Sequence, residues 1–363
     1  MNDLENFRAT VAHRRPGRIL YHAGFTDDLR RRLCEHIASA ADVGAADIGA
    51  HYGLVDLGGI ELRRPAGVPE PDYRPYWEGQ DLPPGTTFNE FGVAMVPSGL
   101  YHFWGYVSPL RNARRLSEIE GYPIEDMHDW DFAYMAGQVA QRHAEGKIAA
   151  GYVGHIYETA WQIRGYEAFL TDMIERPAWA ECLLERLKER NMAKCVAYAR
   201  AGADLIRCGD DVANQKALMF APDLWQRMML SRWREIWQRV HEIHPTCQIF
   251  YHSDGNILAI VGELIKAGVN ILNPLQPECL DIDAVHRRYG DRLTLDGCIG
   301  TQSTMPFGSP DDVRRRVCEV IARYGQHGGL IIAPTHVLEP DVPLENVDAL
   351  FEACREYGRG DEL

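Results

Sequence analysis

His252 and Asp254 stand one residue apart in Tyr251-His-Ser-Asp-Gly-Asn256, just after a short apolar-leaning run that begins at Cys247. Side chains two apart on a strand share a face, so this imidazole and this carboxylate form a natural half-chelate. A second histidine, His336, follows another such run. A His/His/Asp set with one open position suits a catalytic zinc or, as two histidines and one carboxylate, a non-haem iron. The same residues can instead serve as hydrogen-bonding groups that orient a substrate without any metal. Asp210 and Asp211 follow a third run. In so crowded a pair one carboxyl tends toward its neutral form and can donate a proton, although an Asx turn or a helix N-cap is the plainer use of such residues. His155 and Glu158, after a fourth run, are the next acid–base candidates.

Around these groups, Trp104, Tyr157, Trp161 and Arg164 could line an apolar pocket with an anion clamp, and aromatic residues at this spacing also pack cores. Asn214, Gln276, Gln302 and Glu339 complete a polar set suited to substrate contacts. Cys298 reads as a small packed hydrophobe rather than a nucleophile.

Such residues need a scaffold that gathers strand ends. From about Lys147 onward short β-type runs alternate with long amphipathic helices, the pattern of βα units on a parallel sheet. The runs are 147–153, 204–208, 247–251, 270–273, 293–296 and 330–333. Helices are expected at 177–201, 222–244, 257–267, 282–289 and 310–324, two of them ending at Ala-Gly before the next strand. Adding strands at 18–22 and 89–95 brings the count to about eight, and a single-domain (β/α)8 TIM barrel over 1–363 is the economical reading. Its catalytic groups then lie at the carboxyl ends of the strands. Residues 62–87, rich in Pro, Gly and Tyr, form an irregular arm or lid.

Composition narrows the function. Apolar residues are 46% and charged residues 25%, and no apolar run approaches the roughly 20 residues of a membrane span. The acidic start has no apolar leader, so a cytoplasmic location is expected. Nine scattered cysteines without a C-x-x-C pair argue against a disulfide framework and a cysteine-only zinc ribbon. A net charge of −14 and the lack of a long basic block make nucleic acid an unsuitable partner.

The order H-S-D-G-N, L-N-P-L-Q-P, G-T-Q-x-x-x-P-F-G-S-P-x-D-V and I-I-A-P-T-H resembles the uroporphyrinogen decarboxylase superfamily, in the branch of corrinoid-linked methyltransferases that methylate coenzyme M. The resemblance implies a (β/α)8 barrel. In that branch an H-x-C pair and a late-strand cysteine hold zinc, sometimes with a glutamate between them. His252 matches the histidine, Asp254 and His336 fall where cysteines would be, and Glu278 is a looser match to the glutamate. Exchanging thiolates for oxygen and nitrogen leaves a harder Lewis acid, better suited to an oxygen ligand than to a thiol and open to iron or manganese as well as zinc. The arginine-rich R-Q-A-G-R-Y motif of authentic uroporphyrinogen decarboxylases is missing. The expectation is therefore a metal-dependent methyltransferase- or demethylase-like enzyme acting on a small polar substrate, with a corrinoid protein as methyl partner and a homodimeric state. The alternatives are a decarboxylase or other lyase using Asp210 or Asp211 as proton donor, and a barrel that binds a small molecule without turnover.

Overall fold

The computed structural model describes residues 1–41, 47–99 and 103–360. Its strands are β1 (Leu20–Tyr21), β2 (Gly59–Ile60), β3 (Thr87–Phe88), β4 (Ala94–Pro97), β5 (Trp104–Val107), β6 (Ala150–Gly154), β7 (Leu205–Gly209), β8 (Gln248–His252), β9 (Ile271–Leu275), β10 (Thr294–Ile299) and β11 (Leu330–Pro334). Eight of them pair in the order β1-β11-β10-β9-β8-β7-β6-β2, every pairing parallel. The amide of Val55 donates to the Tyr21 carbonyl at 2.9 Å and joins the two edges of this curled sheet. With helices between the strands, the architecture is the expected (β/α)8 barrel.

One expected barrel strand lies elsewhere. The Asn89 side chain accepts from the amides of Phe91 and Val93 at 3.0 and 3.1 Å, which folds 89–93 into a turn. Pairing begins only at Ala94, where β4 joins β3 and β5 in a small antiparallel sheet. The missing barrel strand is the two-residue β2, whose Gly-Gly-Ile setting carries none of the β-branched run by which strands are recognised.

The helices follow the sequence closely. Pro177–Ala201 begins with proline in its first turn and ends at Gly202, whose φ of 85° is open to glycine at little cost. The expected 222–244 helix is interrupted: between Pro222–Trp225 and Ser231–Ile243 lies a π-helical turn, Gln226–Leu230. Such a turn rotates the following face and brings Trp233 and Trp237 into the core.

Inside the barrel, Leu20, Leu57, Ala150, Leu205, Phe250, Ile271 and Ile331 pack together, with Phe7 of the first helix among them. Asp204, just before β7, accepts from Arg8 at 3.0 Å, His143 at 2.7 Å and the Ala149 amide at 3.0 Å. That carboxylate ties the amino-terminal helix to the sheet at the end opposite the candidate site. Residues 62–87 contain only the 3-10 turn Arg74–Tyr76 and β3's first residue. Tyr73 donates to the Glu90 and Pro123 carbonyls and Tyr76 packs edge-on against Tyr122 at 4.9 Å, so the segment is anchored on the antiparallel sheet and the 121–125 loop.

Arg164, 3% exposed, pairs with Asp172 at 2.7 Å and donates to the Leu110 carbonyl at 2.7 Å. Removing one partner strands the other charge. Asp172→Ala should cost about 3–5 kcal/mol in chemical denaturation, and a loss comparable to an ordinary surface change would show that the pair carries no structure.

Candidate active site

The carboxyl ends of β6, β7, β8 and β11 open on a cavity of about 530 Å³ lined by Tyr152, His155, Glu158, Arg207, Cys208, Asp211, Phe250, His252, Asp254 and His336. A hollow of about 670 Å³ lies among the outer helices, and one of about 880 Å³ lies between the loops that follow β7 and β8 and the helices beyond them. Size does not pick the site; the gathering of imidazoles and carboxylates does.

One ligand atom each from Asp211, His252 and Asp254 can lie within 4.8 Å of one another. The register explains it. Gly209 of β7 pairs with His252 of β8, and the Asp254 amide then donates to Asp211 Oδ1 at 2.8 Å. Gly255 has a φ of 87°, and a Cβ there would meet the Asn214 carbonyl at 2.6 Å, so only glycine lets the loop turn back this tightly. Gln276 accepts from the Gly255 amide at 2.7 Å and holds the same turn from β9.

His252 is oriented from behind. Its Nδ1 lies 2.6 Å from Asn273 Oδ1, Asn273 Nδ2 donates to Asp296 Oδ1 at 2.5 Å, and His22 Nε2 meets the same carboxylate at 3.0 Å. A carboxylate only accepts, so Asn273 must turn its NH2 toward Asp296 and its oxygen toward His252. Nδ1 of His252 is therefore the donor to Asn273, which leaves Nε2, 3.7 Å from Asp211 Oδ1, as the nitrogen on the Asp211 side.

These residues fit a divalent cation. Asp254 Oδ1 is buried and has no hydrogen-bond partner. Burial, opposed by His252 and reinforced by the charge of Asp211, pushes its carboxyl up to about 6, a cost that a bound cation would relieve. The donors are oxygen and imidazole nitrogen, compatible with zinc, iron or manganese. His336 lines the cavity but is not part of the close trio; its ring stacks on Phe103 at 6.4 Å. Glu278 is placed otherwise than the sequence led us to expect. Ser303 holds its Oε1 at 2.8 Å, and the carboxylate packs over Gly300, so it does not line the cavity.

Beside the trio, His155 Nδ1 lies 2.5 Å from Glu158 Oε2, and Tyr152 Oη lies 3.0 Å from His155 Nε2. Burial works against the charged ring, yet the Glu158 bond and the charges of Asp210 and Asp211 outweigh it and push His155 up to about 9. Burial also opposes the Glu158 charge, but the same bond holds that carboxyl below its ordinary range. Asn191 donates to the His155 carbonyl and Lys194 to the Val153 carbonyl, fixing this corner from the Pro177–Ala201 helix.

Asp210 does not share the cavity. It is 0% exposed and accepts from the Ile156 amide at 2.9 Å, the Glu158 amide at 3.1 Å and Trp233 Nε1 at 2.7 Å. Burial pushes its carboxyl up to about 7, and its bonds to the two amides and the indole hold it behind the cavity wall, next to His155 and Glu158. Three further residues sit outside the cavity for plain reasons. Arg164 is engaged with Asp172, Tyr157 is buried between Phe169 and Phe220, and Asn214 caps its own turn through the Lys216 and Ala217 amides. Gln302 pairs with Gln215 at 2.8 Å, and neither it nor Glu339 lines the cavity. Trp104 is half-exposed on β5, and Trp161 packs against Tyr106 and Tyr166. Cys298 is fully buried, and burial pushes its thiol up to about 12.

Sequence reasoning gave no role to His22, Tyr152, Arg207, Asn273 or Asp296. Period-2 alternation could have found two of them: Tyr152 is in phase with Ala150 and Arg207 with Leu205, both interior residues.

A parallel barrel with an acid–imidazole cluster at its carboxyl mouth belongs to the barrel enzymes that work from their strand ends. Residues 106–357 match the uroporphyrinogen decarboxylase (URO-D) family, and the chain belongs to it. A uroporphyrinogen decarboxylase of Pseudomonas fluorescens is 24% identical over 253 residues, 66% of this chain and 68% of that protein. The methylcobamide:CoM methyltransferase MtaA of Methanosarcina barkeri is 27% identical over 192 residues, 53% of each chain, so the match spans about half of that relative. A methyltransferase from Methanosarcina mazei superposes with a TM-score of 0.63 at 18% identity, covering 98% of this chain and 99% of that one. Members of this superfamily are enzymes of both kinds, methyltransferases and decarboxylases.

Two outcomes check the site. His252→Ala and Asp254→Ala should each empty most of the metal measured by elemental analysis, His336→Ala should lower it, and Cys298→Ser should leave it intact; the reverse pattern would remove the assignment. In metal-free protein, the stabilisation from charged His155 should be complete below about pH 6.5, its ordinary pKa, and fade as pH rises through about 9. The stability gap between wild type and His155→Gln should shrink over that window, and a constant gap would refute the charged pair.

Proposed function

We propose that the chain is a metal-dependent enzyme of the methyltransferase or demethylase type that acts on a small, oxygen-bearing polar molecule at the barrel mouth. The convergence of Asp211, His252 and Asp254 carries this reading. Asp211 replaces Glu278 in the expected ligand set, with His336 contributing from the facing wall. A divalent ion held there supplies Lewis acidity to an oxygen ligand, and a set without thiolate favours that over thiol activation.

The chain's own residues suggest the direction of the chemistry. His155 faces the cavity, and its contact with Glu158 favours the protonated ring, so it is set to give a proton. That suits release of an alcohol when a methyl group leaves an ether oxygen: the methyl passes to an acceptor, the C–O electron pair stays on oxygen, and His155 protonates the oxygen. Glu158 holds the imidazolium, and Asp210 holds the loop that presents both. The partners in this reading are the small molecule, a corrinoid protein that takes the methyl group, and a second copy of the chain. A cytoplasmic setting agrees with it, and among the described residues no helix is long and apolar enough to cross a membrane.

The charged His155 also favours a second reading, decarboxylation, in which the same proton goes to a carbanion. Against a multiply anionic tetrapyrrole stand the acids Glu158, Asp211 and Asp254 in the cavity wall.

Metal-loaded protein incubated with cob(I)alamin and a panel of small methoxy compounds should produce methylcobalamin, followed by its absorbance. His155→Gln should keep its metal and slow turnover by about 10²- to 10⁴-fold. Carbon dioxide release without methylcobalamin, from the corresponding carboxylic acids, would replace this reading with the second.

A further inference from the structure

The barrel interior holds one charge that neither the metal trio nor the acid–base pair uses. Arg207 lies in β7 between Tyr152 of β6 and Phe250 of β8 in register, and all three line the cavity. Its guanidinium carbon sits 5.3 Å from the centre of the Phe250 ring, and Nη1 donates to the Leu57 carbonyl at 3.1 Å. Nε is shielded from solvent and has no hydrogen-bond partner. Among the described residues no carboxylate oxygen comes within the 4.0 Å of an ion pair.

That contrasts with most of the fully buried cations, although part-buried Arg32 and Arg186, outside the barrel, also bond only to backbone carbonyls. Arg164 has Asp172, Arg190 has Glu90, and Lys188 has Glu185, Glu189 and Glu235. Lys194 is buried without an acid and answers with a pKa pushed down by burial to about 8. A guanidinium cannot answer that way, because it stays charged. An uncompensated charge inside a barrel is costly unless something arrives to pair with it. With an aromatic ring against one face and only the Leu57 carbonyl on Nη1, the guanidinium keeps unpaired N–H groups of the planar fork that a carboxylate matches.

We propose that Arg207 is the counter-ion for a carboxylate of the substrate, so the substrate class is a small monocarboxylate whose other end carries the oxygen met by the metal trio and His155. This deepens the functional reading and rests on it for the identity of the second end. A cavity of about 530 Å³ with a single unpaired cation accommodates one such group and disfavours polyanions.

The test is calorimetric titration of metal-stripped full-length protein with methoxyacetate and with its neutral amide, methoxyacetamide. Wild type should bind the acid at least about tenfold more tightly than the amide, the scale of a charge-assisted hydrogen bond. Arg207→Gln should abolish the preference, and Arg207→Lys, which keeps the charge but not the fork, should retain part of it; melting curves confirm that each variant is folded. An Arg207→Gln protein that still prefers the acid, or a wild type that prefers neither, overturns the proposal, and Arg207→Lys decides if the glutamine variant does not fold. Because the titration is done without metal, a preference for the acid in a protein that takes up no metal would sink the functional reading and leave Arg207's assignment standing.

Discussion

The mouth of this barrel hangs on one enclosed carboxylate. Asp210 has no exposed surface, and its oxygens collect two amides from the β6 loop and the indole of Trp233 from an outer helix. A buried acid without such donors would be strongly destabilising, so the three elements have to meet around it. Once they do, Glu158 faces His155, and Asp211, the next residue along, is turned into the cavity toward His252. The two neighbouring acids thus divide their work: one builds the corner and the other stands in it.

The same logic runs through the second layer. The Asn273 amide between His252 and Asp296 is a directional device, since swapping its two ends would set donor against donor. It fixes where the imidazole proton sits, and hence which nitrogen can act as ligand. Gly255 contributes nothing chemical, yet its left-handed backbone brings Asp254 back toward Asp211. Ligand residues are only half of such a site; the groups that aim them are the other half.

The barrel was legible because its later strands are separated by long helices with clear stops, such as Gly202 after Pro177–Ala201. The eighth strand was not, because a two-residue strand has no periodicity to read and Asn89 disguises a turn as a strand start. At the site, H-x-D was readable from alternation alone. The exclusion of Glu278 was not, since it depends on Ser303 and the space over Gly300, which are tertiary facts. Arg207 was overlooked for a different reason: a lone arginine within a strand reads as an edge or surface residue until the phase of its neighbours is compared.

The chain His22–Asp296–Asn273–His252 runs from the first strand of the barrel to the end of β8, through the ends of β9 and β10. During synthesis His22 emerges early and Asp296 late, and they meet only after the sheet has curled round on itself. A nascent chain that has made Asp211, His252 and Asp254 but not yet Asp296 holds these side chains without the brace that orients the His252 ring. The geometry of this corner therefore depends on a contact between residues 274 positions apart, His22 and Asp296.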